Sequence, residues 1–227
     1  MSWLSDVLAW LTTGSHWRGD DGIGHRLAEH VELSAVSVAI ACAIAVPLAL
    51  WLGHVGRGGA LAVNVSNVGR AVPTFAVLVL LALAPSPFGL GTLSTVTALV
   101  LFAVPPVVTN TYVGVREVDP ELVDAARGMG MSGWQVLRGI ELPLATPLML
   151  NGIRLAAVQV IATATIAALV AGGGLGRIIA AGYGRQDQAQ LLSGALLVAL
   201  LALVVEAGFG VLSRVLAPTG RAPASQG

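Results

Sequence analysis

Polar side chains within apolar stretches are the residues of this chain best suited to act on a solute. Residues 147–170 form the richest such stretch, and its polar members include Asn151, Arg154 and Gln159. Gln159 and Thr163 are four residues apart, so a helix places them on one face. Because polar groups in a bilayer often mark a solute path, we expect a path lined by Asn110, Gln159, Thr163 and Thr165. Hydrogen bonding between helices by these side chains is an equally open interpretation.

Two other patterns imitate binding sites. Residues 128–133 read GMGMSG, a literal match to GxGxxG, but a dinucleotide site needs a buried strand before the motif and a helix after it. The four histidines lack a zinc-ligand spacing, and we interpret His25 and His30 as interfacial residues. The chain has no lysine and so no GxxxxGK[ST] phosphate loop. We therefore predict no catalytic residue, no metal and no cofactor bound by this chain.

Composition indicates a membrane protein. Of 227 residues, 56% are hydrophobic and 11% are charged, whereas soluble domains have about 25% charged residues. The net charge is zero, which makes nucleic acid an improbable partner. A single cysteine, Cys42, excludes an intrachain disulfide.

The apolar pattern predicts an all-α membrane protein with about five transmembrane helices. A span needs about 20 mostly apolar residues, and five stretches meet or approach that length. They are residues 31–52, 68–84, 93–113, 147–170 and 191–211. The second is the shortest and contains Pro73. Interior prolines are tolerated in membranes where neighbouring groups satisfy the freed backbone.

Arginine distribution predicts the orientation, because cytoplasmic loops are enriched in basic residues. With the N-terminus outside, the inner side carries eight arginines and the outer side four. The outer four are Arg18, Arg26, Arg177 and Arg185. We therefore predict an outside N-terminus and a cytoplasmic C-terminus in the bacterial cell membrane, with loop 114–146 in the cytoplasm.

Three segments make up the predicted organisation. Residues 1–29 form an N-terminal interfacial segment, since Trp3, Trp10 and Trp17 recur every seven residues and tryptophan favours the membrane interface. Residues 30–215 form the membrane domain, and residues 216–227 a disordered tail. The glycine-rich stretch 171–190 fits close helix packing, a hairpin that dips into the bilayer, or a flexible outer loop.

The polar loop between the third and fourth spans predicts two short helices. Asp119 can cap the first, with Pro120 at its first position, and Gly128 and Gly130 end it. We expect Gly128 to allow a turn that a Cβ would obstruct. Ser132 and Gln135 have the capping-box spacing at the start of the second helix. Pro143 is expected to close that helix.

Six short motifs carry a family resemblance. They are NTY from Asn110, VDP from Val118, DAARGMGM from Asp124, ELP from Glu141, ATAT from Ala162 and GGGLG from Gly172. They resemble the type I permeases of binding-protein-dependent ABC importers, in the branch that moves glycine betaine, proline betaine, carnitine or choline. Asp124 stands where most members have Glu, and Arg177 stands where relatives often have an acid.

The resemblance implies that loop 119–143 docks into a groove of an ABC ATPase subunit. The implied docking residues are Glu121, Asp124, Ala125, Ala126, Gly128, Gly130, Trp134, Leu142 and Pro143. ATP and magnesium would be bound by that ATPase. The other implied partners are an extracytoplasmic substrate-binding protein, a second permease copy or paralogue, and membrane lipid.

Three alternatives remain open. The same kind of importer could move another small solute, such as an amino acid or an anion. A secondary transporter needs no ATPase, but such carriers usually show inverted repeats with broken helices, which this sequence lacks. A membrane scaffold without transport activity is disfavoured by the complete loop motif.

Overall fold

The computed structural model describes residues 2–59, 64, 69, 72–170 and 172–216. The predicted start of the second span, at residue 68, lies outside these residues, as does the predicted tail from residue 217 onward. Every regular element in the described part of the chain is helical, which confirms the all-α prediction.

Nine α-helices are defined in the described residues. They are α1 (Ser2–Thr12), α2 (Ile23–Val55), α3 (Thr74–Leu83), α4 (Thr92–Arg116), α5 (Pro120–Gly128), α6 (Gly133–Val136), α7 (Leu142–Ala164), α8 (Gly176–Arg185) and α9 (Gln188–Leu216). A π-helical turn, Leu137–Glu141, joins α6 to α7, and a 3-10 helix, Thr165–Val170, continues α7.

Four helical stretches are long and apolar enough to cross a bilayer. They are Ile23–Val55, Thr92–Arg116, Gly133–Val170 and Gln188–Leu216, and Thr74–Leu83 is a shorter apolar helix. These correspond to the five predicted spans. The first of them, α2, begins at Ile23, eight residues before the predicted span. Pro47, Pro105 and Pro106 lie inside continuous helices, whereas Pro73 is the N-cap of α3.

Helices α2, α4 and α7 pack against one another and form the centre of the bundle. The contact is built from small side chains, because α2 places Ala41, Ala45 and Ala49 at four-residue intervals and all three are fully buried. Small residues let helix backbones approach closely, which is how membrane helices gain packing energy. Helix α9 packs on α7 and α8, and α1 packs on α9.

The glycine-rich stretch 171–190 is an ordered part of this bundle in its described residues, which run from 172. Within it α8 packs against α9 and the 3-10 helix. The stretch is tied to α2 by Glu29, whose Oε2 accepts the Gly174 N–H at 2.9 Å. His30 accepts the Leu175 N–H at Nδ1 and contacts the Ile161 carbonyl through Nε2 at 3.0 Å.

His30 is therefore not an interfacial residue, and that interpretation was wrong. Its side chain is fully buried. Since Nδ1 accepts a hydrogen bond, the neutral ring donates from Nε2 to the Ile161 carbonyl. The ring thus bonds the backbone on both sides of the glycine-rich stretch to α2, which is a structural role.

Candidate functional site

The loop between α4 and α7 folds as its local sequence predicts. The Asp119 side chain accepts the Glu121 N–H at 2.9 Å, and Pro120 occupies the first helical position of α5. Both features suit a helix start, because Asp satisfies a free N–H and proline lacks one. Helix α5 ends at Gly128, and Gly130 follows with φ of 86°.

The second loop helix starts at the predicted capping box. The Ser132 side chain accepts the Gln135 N–H, and the Gln135 side chain accepts the Ser132 N–H at 2.7 Å. The prediction that Pro143 closes this helix was wrong. The chain passes from α6 directly into α7, because the backbone pairing changes to the π type just before Pro143, where the Leu142 N–H donates to the Leu137 carbonyl.

The surface of the loop is apolar at its centre. Leu122, Met129 and Trp134 are exposed, at 50%, 77% and 67% respectively. Large exposed apolar side chains in one region mark an interaction surface. Most of the predicted docking residues are also exposed, namely Glu121, Asp124, Ala125, Gly128, Gly130, Trp134 and Pro143.

Two predicted docking residues differ from the rest. Leu142 is half-buried. Ala126 is only 1% exposed, so the expectation that it forms part of the docking surface was wrong. Its carbonyl accepts the Met131 N–H at 3.1 Å. Ala126 and the fully buried Val136 of α6 instead form the inner side of the loop.

Gly128 and Gly130 serve different purposes. Gly130 has a positive φ, which strains any residue with a Cβ, so it is the glycine that makes the turn. Gly128 has an ordinary φ, and a Cβ built on it meets no described atom within 4 Å. The expectation that a Cβ at Gly128 would obstruct the turn was therefore wrong. What Gly128 provides is an open position on the exposed surface.

The loop is fixed to α2 by a contact that the sequence did not reveal. Nδ1 of His54 lies 2.6 Å from Oε2 of Glu141. A Cβ on Gly133 would lie 3.1 Å from Nε2 of the same histidine, so the loop passes close to the end of α2. A carboxylate beside an apolar span needs a partner, which is the only signal in the sequence that points to this contact.

The predicted path residues lie in different surroundings. Gln159 is exposed on α7, whereas Thr163 is half-buried next to Thr74 and Thr95. Thr165 starts the 3-10 helix and donates to the Ala162 carbonyl at 2.7 Å. The side chain of Asn110 donates to the Pro106 carbonyl.

Gln159 belongs to an exposed row of α7 that repeats every four residues: Pro147, Asn151, Leu155 and Gln159. Nδ2 of Asn151 lies 3.3 Å from Oδ1 of Asn110, which connects this row to α4. Polar and apolar members alternate along the row. We call it the α7 row.

Arg154 and Glu206 form an ion pair between two membrane helices. Nε of Arg154 donates to Oε2 of Glu206 at 2.7 Å, and the Arg154 Nη2 contacts Oε1. The two-point contact is the geometry in which guanidinium and carboxylate groups bind most strongly. It joins α7 to α9, and it gives Arg154 a partner within the bundle.

The long apolar helices and the rigid loop outside them define a multi-span helical membrane protein. Residues 45–219 match the family model described as "Binding-protein-dependent transport system inner membrane component". The chain belongs to this family of inner-membrane transport components.

Relatives of known role cover nearly the whole chain. It is 37% identical to the carnitine transport permease protein OpuCB of Listeria monocytogenes, over 90% of this chain and 94% of that protein. It is 31% identical to the glycine betaine/carnitine/choline transport system permease protein OpuCB of Bacillus subtilis, over 86% and 89%. It is 35% identical to the osmoprotectant import permease protein OsmW of Salmonella typhimurium, over 85% and 90%.

The fold has a solved counterpart. The inward-facing MetNI methionine ABC transporter matches with a TM-score of 0.74 and 21% identity, over 86% of this chain and 96% of that one. The predicted permease fold and the resemblance to the quaternary-amine branch are thus confirmed. The chain is a membrane transport subunit rather than an enzyme.

Proposed function

We propose that this permease moves quaternary-amine osmoprotectants into the cell: glycine betaine, proline betaine, carnitine or choline. The observation that supports this cargo is near full-length similarity, at 31–37% identity, to permeases named for carnitine, glycine betaine and choline. The structural match to a methionine transporter has 21% identity, so it supports the fold and does not favour methionine.

The energy for transport comes from a separate ATPase subunit that binds ATP and magnesium. The loop is suited to dock on that subunit because Leu122, Met129 and Trp134 present an apolar surface, while Gly128 leaves an open position beside them. Glu121 and Asp124 add negative charge, and Glu121, in the first turn, also stabilises the N-terminal end of α5. A partner with an apolar groove rimmed by basic groups fits this surface.

Movement of the docked loop is transmitted to the spans through rigid connections. The π-helical turn leads directly into α7, and the His54–Glu141 contact leads to α2. A continuous helix moves as one body, whereas a flexible linker would absorb the displacement. Closure of the ATPase pair therefore shifts two of the three central helices together.

A second permease copy or a paralogue completes the path. The α7 row is exposed in this chain, and Gln159 and Asn151 are polar groups that need partners or water within a bilayer. Pairing of two such rows encloses a polar channel to which Asn110, Gln159, Thr163 and Thr165 contribute. An extracytoplasmic binding protein delivers the solute to this path, with the N-terminus outside and the C-terminus in the cytoplasm.

The test is uptake of labelled glycine betaine after a salt upshift, in cells that lack other betaine transporters. We expect uptake to require this gene, to depend on ATP, and to be reduced by excess unlabelled carnitine or choline. Excess methionine serves as the control competitor. Gene-dependent uptake of methionine with no uptake of betaine would reject the proposed cargo and leave the permease class intact.

A further inference from the structure

A polar cavity of about 520 Å³ lies among α1, α2, α8 and α9. Arg26 is in the first turn of α2, about 40 Å along the helix from His54 at a rise of 1.5 Å per residue. Since His54 contacts the loop between α4 and α7, the cavity lies at the opposite end of the bundle. We call it the arginine cavity.

The arginine cavity gathers all four arginines that the orientation rule assigns to the outer side. Its charged lining residues are Arg18, Arg26, Arg177, Arg185, Asp21 and Asp187. Four arginines against these two aspartates and Glu29, which is bonded to Arg26, leave an excess of one positive charge. These arginines come from two segments far apart in the sequence, residues 18–26 and 177–185, so their convergence is a property of the fold and not of a local basic run.

The two aspartates do not neutralise the cavity. Asp21 is paired with Arg26, whose Nη1 also binds Oε2 of Glu29 at 2.7 Å. The hydrogen bond and the charge of Arg26 hold the pKa of the Asp21 carboxyl below its usual range, and the charges of Arg177 and Arg185 lower this pKa further. One oxygen of Asp187 accepts the Gln190 N–H.

Three guanidinium groups keep free donors. Arg177 donates from Nε to the Gly172 carbonyl at 3.0 Å, which leaves its terminal nitrogens available. Within the described part of the chain, the guanidinium groups of Arg18 and Arg185 make no hydrogen bond or ion pair. A guanidinium is suited to bind phosphate through two parallel hydrogen bonds, so a phosphate group matches both the charge and the donors.

The surroundings of the cavity indicate the level of the membrane interface. Trp10 lines the cavity and stacks on His16 at 4.3 Å. Trp3, Leu4 and Leu8, which precede Trp10 in α1, are exposed. Tryptophan concentrates at the headgroup level of bilayers, and basic pockets between membrane helices bind anionic headgroups.

We propose that the arginine cavity binds the phosphate-containing headgroup of an anionic phospholipid in the outer leaflet. The exposed apolar side chains of α1 then lie next to the acyl chains of the same lipid. This site is independent of the cargo and of the ATPase. A lipid bound here connects α1, the start of α2 and both ends of α8.

The test uses the purified full-length chain in nanodiscs of equal parts phosphatidylglycerol and phosphatidylcholine. The ratio of the two lipids that remain bound after detergent extraction is measured for wild type and for the double variant Arg177→Gln, Arg185→Gln. We expect wild type to retain phosphatidylglycerol preferentially. Each arginine removed should reduce that preference about fivefold, the contribution of one basic residue near an anionic surface.

The matched control is Arg127→Gln, Arg138→Gln, which removes two exposed arginines at the other end of the bundle and should keep the preference. Arg18→Gln provides a second variant if the double variant does not fold.

Equal retention by wild type and all cavity variants would overturn the proposal. So would displacement of the lipid by millimolar inorganic phosphate, which indicates a soluble anion site. Loss of binding-protein cross-linking with unchanged lipid retention would also overturn it, in favour of an acidic protein surface.

Discussion

Nδ1 of His54 contacts Oε2 of Glu141 at 2.6 Å, although the two residues are 87 positions apart in the chain. The contact joins the last turn of α2 to the π-helical turn that leads into α7. The Glu141 side chain is only 6% exposed and that of His54 19% exposed, so water does not readily replace either partner. The pair directly connects the loop between α4 and α7 to α2.

Removal of one partner from this pair should destabilise the protein. Glu141→Leu or His54→Phe alone leaves a buried polar group unpaired, at a cost of about 1–3 kcal/mol. The double variant removes both groups and should cost less than the sum of the single changes. Thermal unfolding of the four proteins in detergent measures this coupling. Strictly additive effects would show that the two side chains do not interact.

The Arg154–Glu206 ion pair should tolerate exchange of its two residues better than reversal of either charge alone. Glu206→Gln weakens a charge-assisted contact, with an expected loss of about 1–3 kcal/mol. The exchange Arg154→Glu with Glu206→Arg keeps one charge of each sign between α7 and α9. Membrane insertion and thermal stability of the exchange variant should exceed those of either single reversal. A double reversal no better than the single ones would contradict the pairing.

The close contact of α4 and α7 depends on Gly152. A Cβ at this position would lie 2.6 Å from Cβ of Asn110 and 2.8 Å from the Pro106 carbonyl oxygen. Gly152→Ala should therefore destabilise by about 1–3 kcal/mol through overpacking. Gly208→Ala is the matched control in α9, because a Cβ there meets no described atom within 4 Å. An equal fall of the unfolding temperature in both variants would exclude overpacking at Gly152 as the cause.

The second permease copy should lie against the α7 row. The chain has one cysteine, Cys42, so Leu155→Cys can be tested in a Cys42→Ser background. Oxidation in native membranes should cross-link Leu155→Cys to a second copy, or to a paralogue with a matching cysteine. Leu203→Cys, on the exposed face of α9, is the control that should remain monomeric. Cross-linking of Leu203→Cys, with Leu155→Cys remaining monomeric, would place the interface on α9.

Local sequence was enough to predict the loop but not its anchoring. The cap by Asp119 and the box of Ser132 and Gln135 depend on neighbours within three residues, and both are present. The role expected of Pro143 failed because the helix continues through a π-helical turn. No sequence pattern around residues 137–141 predicts that π-helical turn.

The remaining errors concern tertiary burial. Ala126 and Ala125 are adjacent small residues, but one faces inward and the other outward, which depends on how α5 sits on α6. The burial of His30 also depends on distant parts of the chain, because its partners Ile161 and Leu175 are more than 130 residues away in the sequence. The apolar pattern located the spans because their length is set by the bilayer.

We propose that the loop docks on an ATPase through the open surface at Gly128. The most direct measurement compares Gly128→Leu with Gly208→Leu, since a Cβ at either position meets no described atom within 4 Å. Both variants should insert and fold like wild type. Gly128→Leu should lose co-purification of the ATPase subunit and ATP-driven uptake together, while Gly208→Leu keeps both. Normal ATPase association and uptake by Gly128→Leu would contradict docking at Gly128.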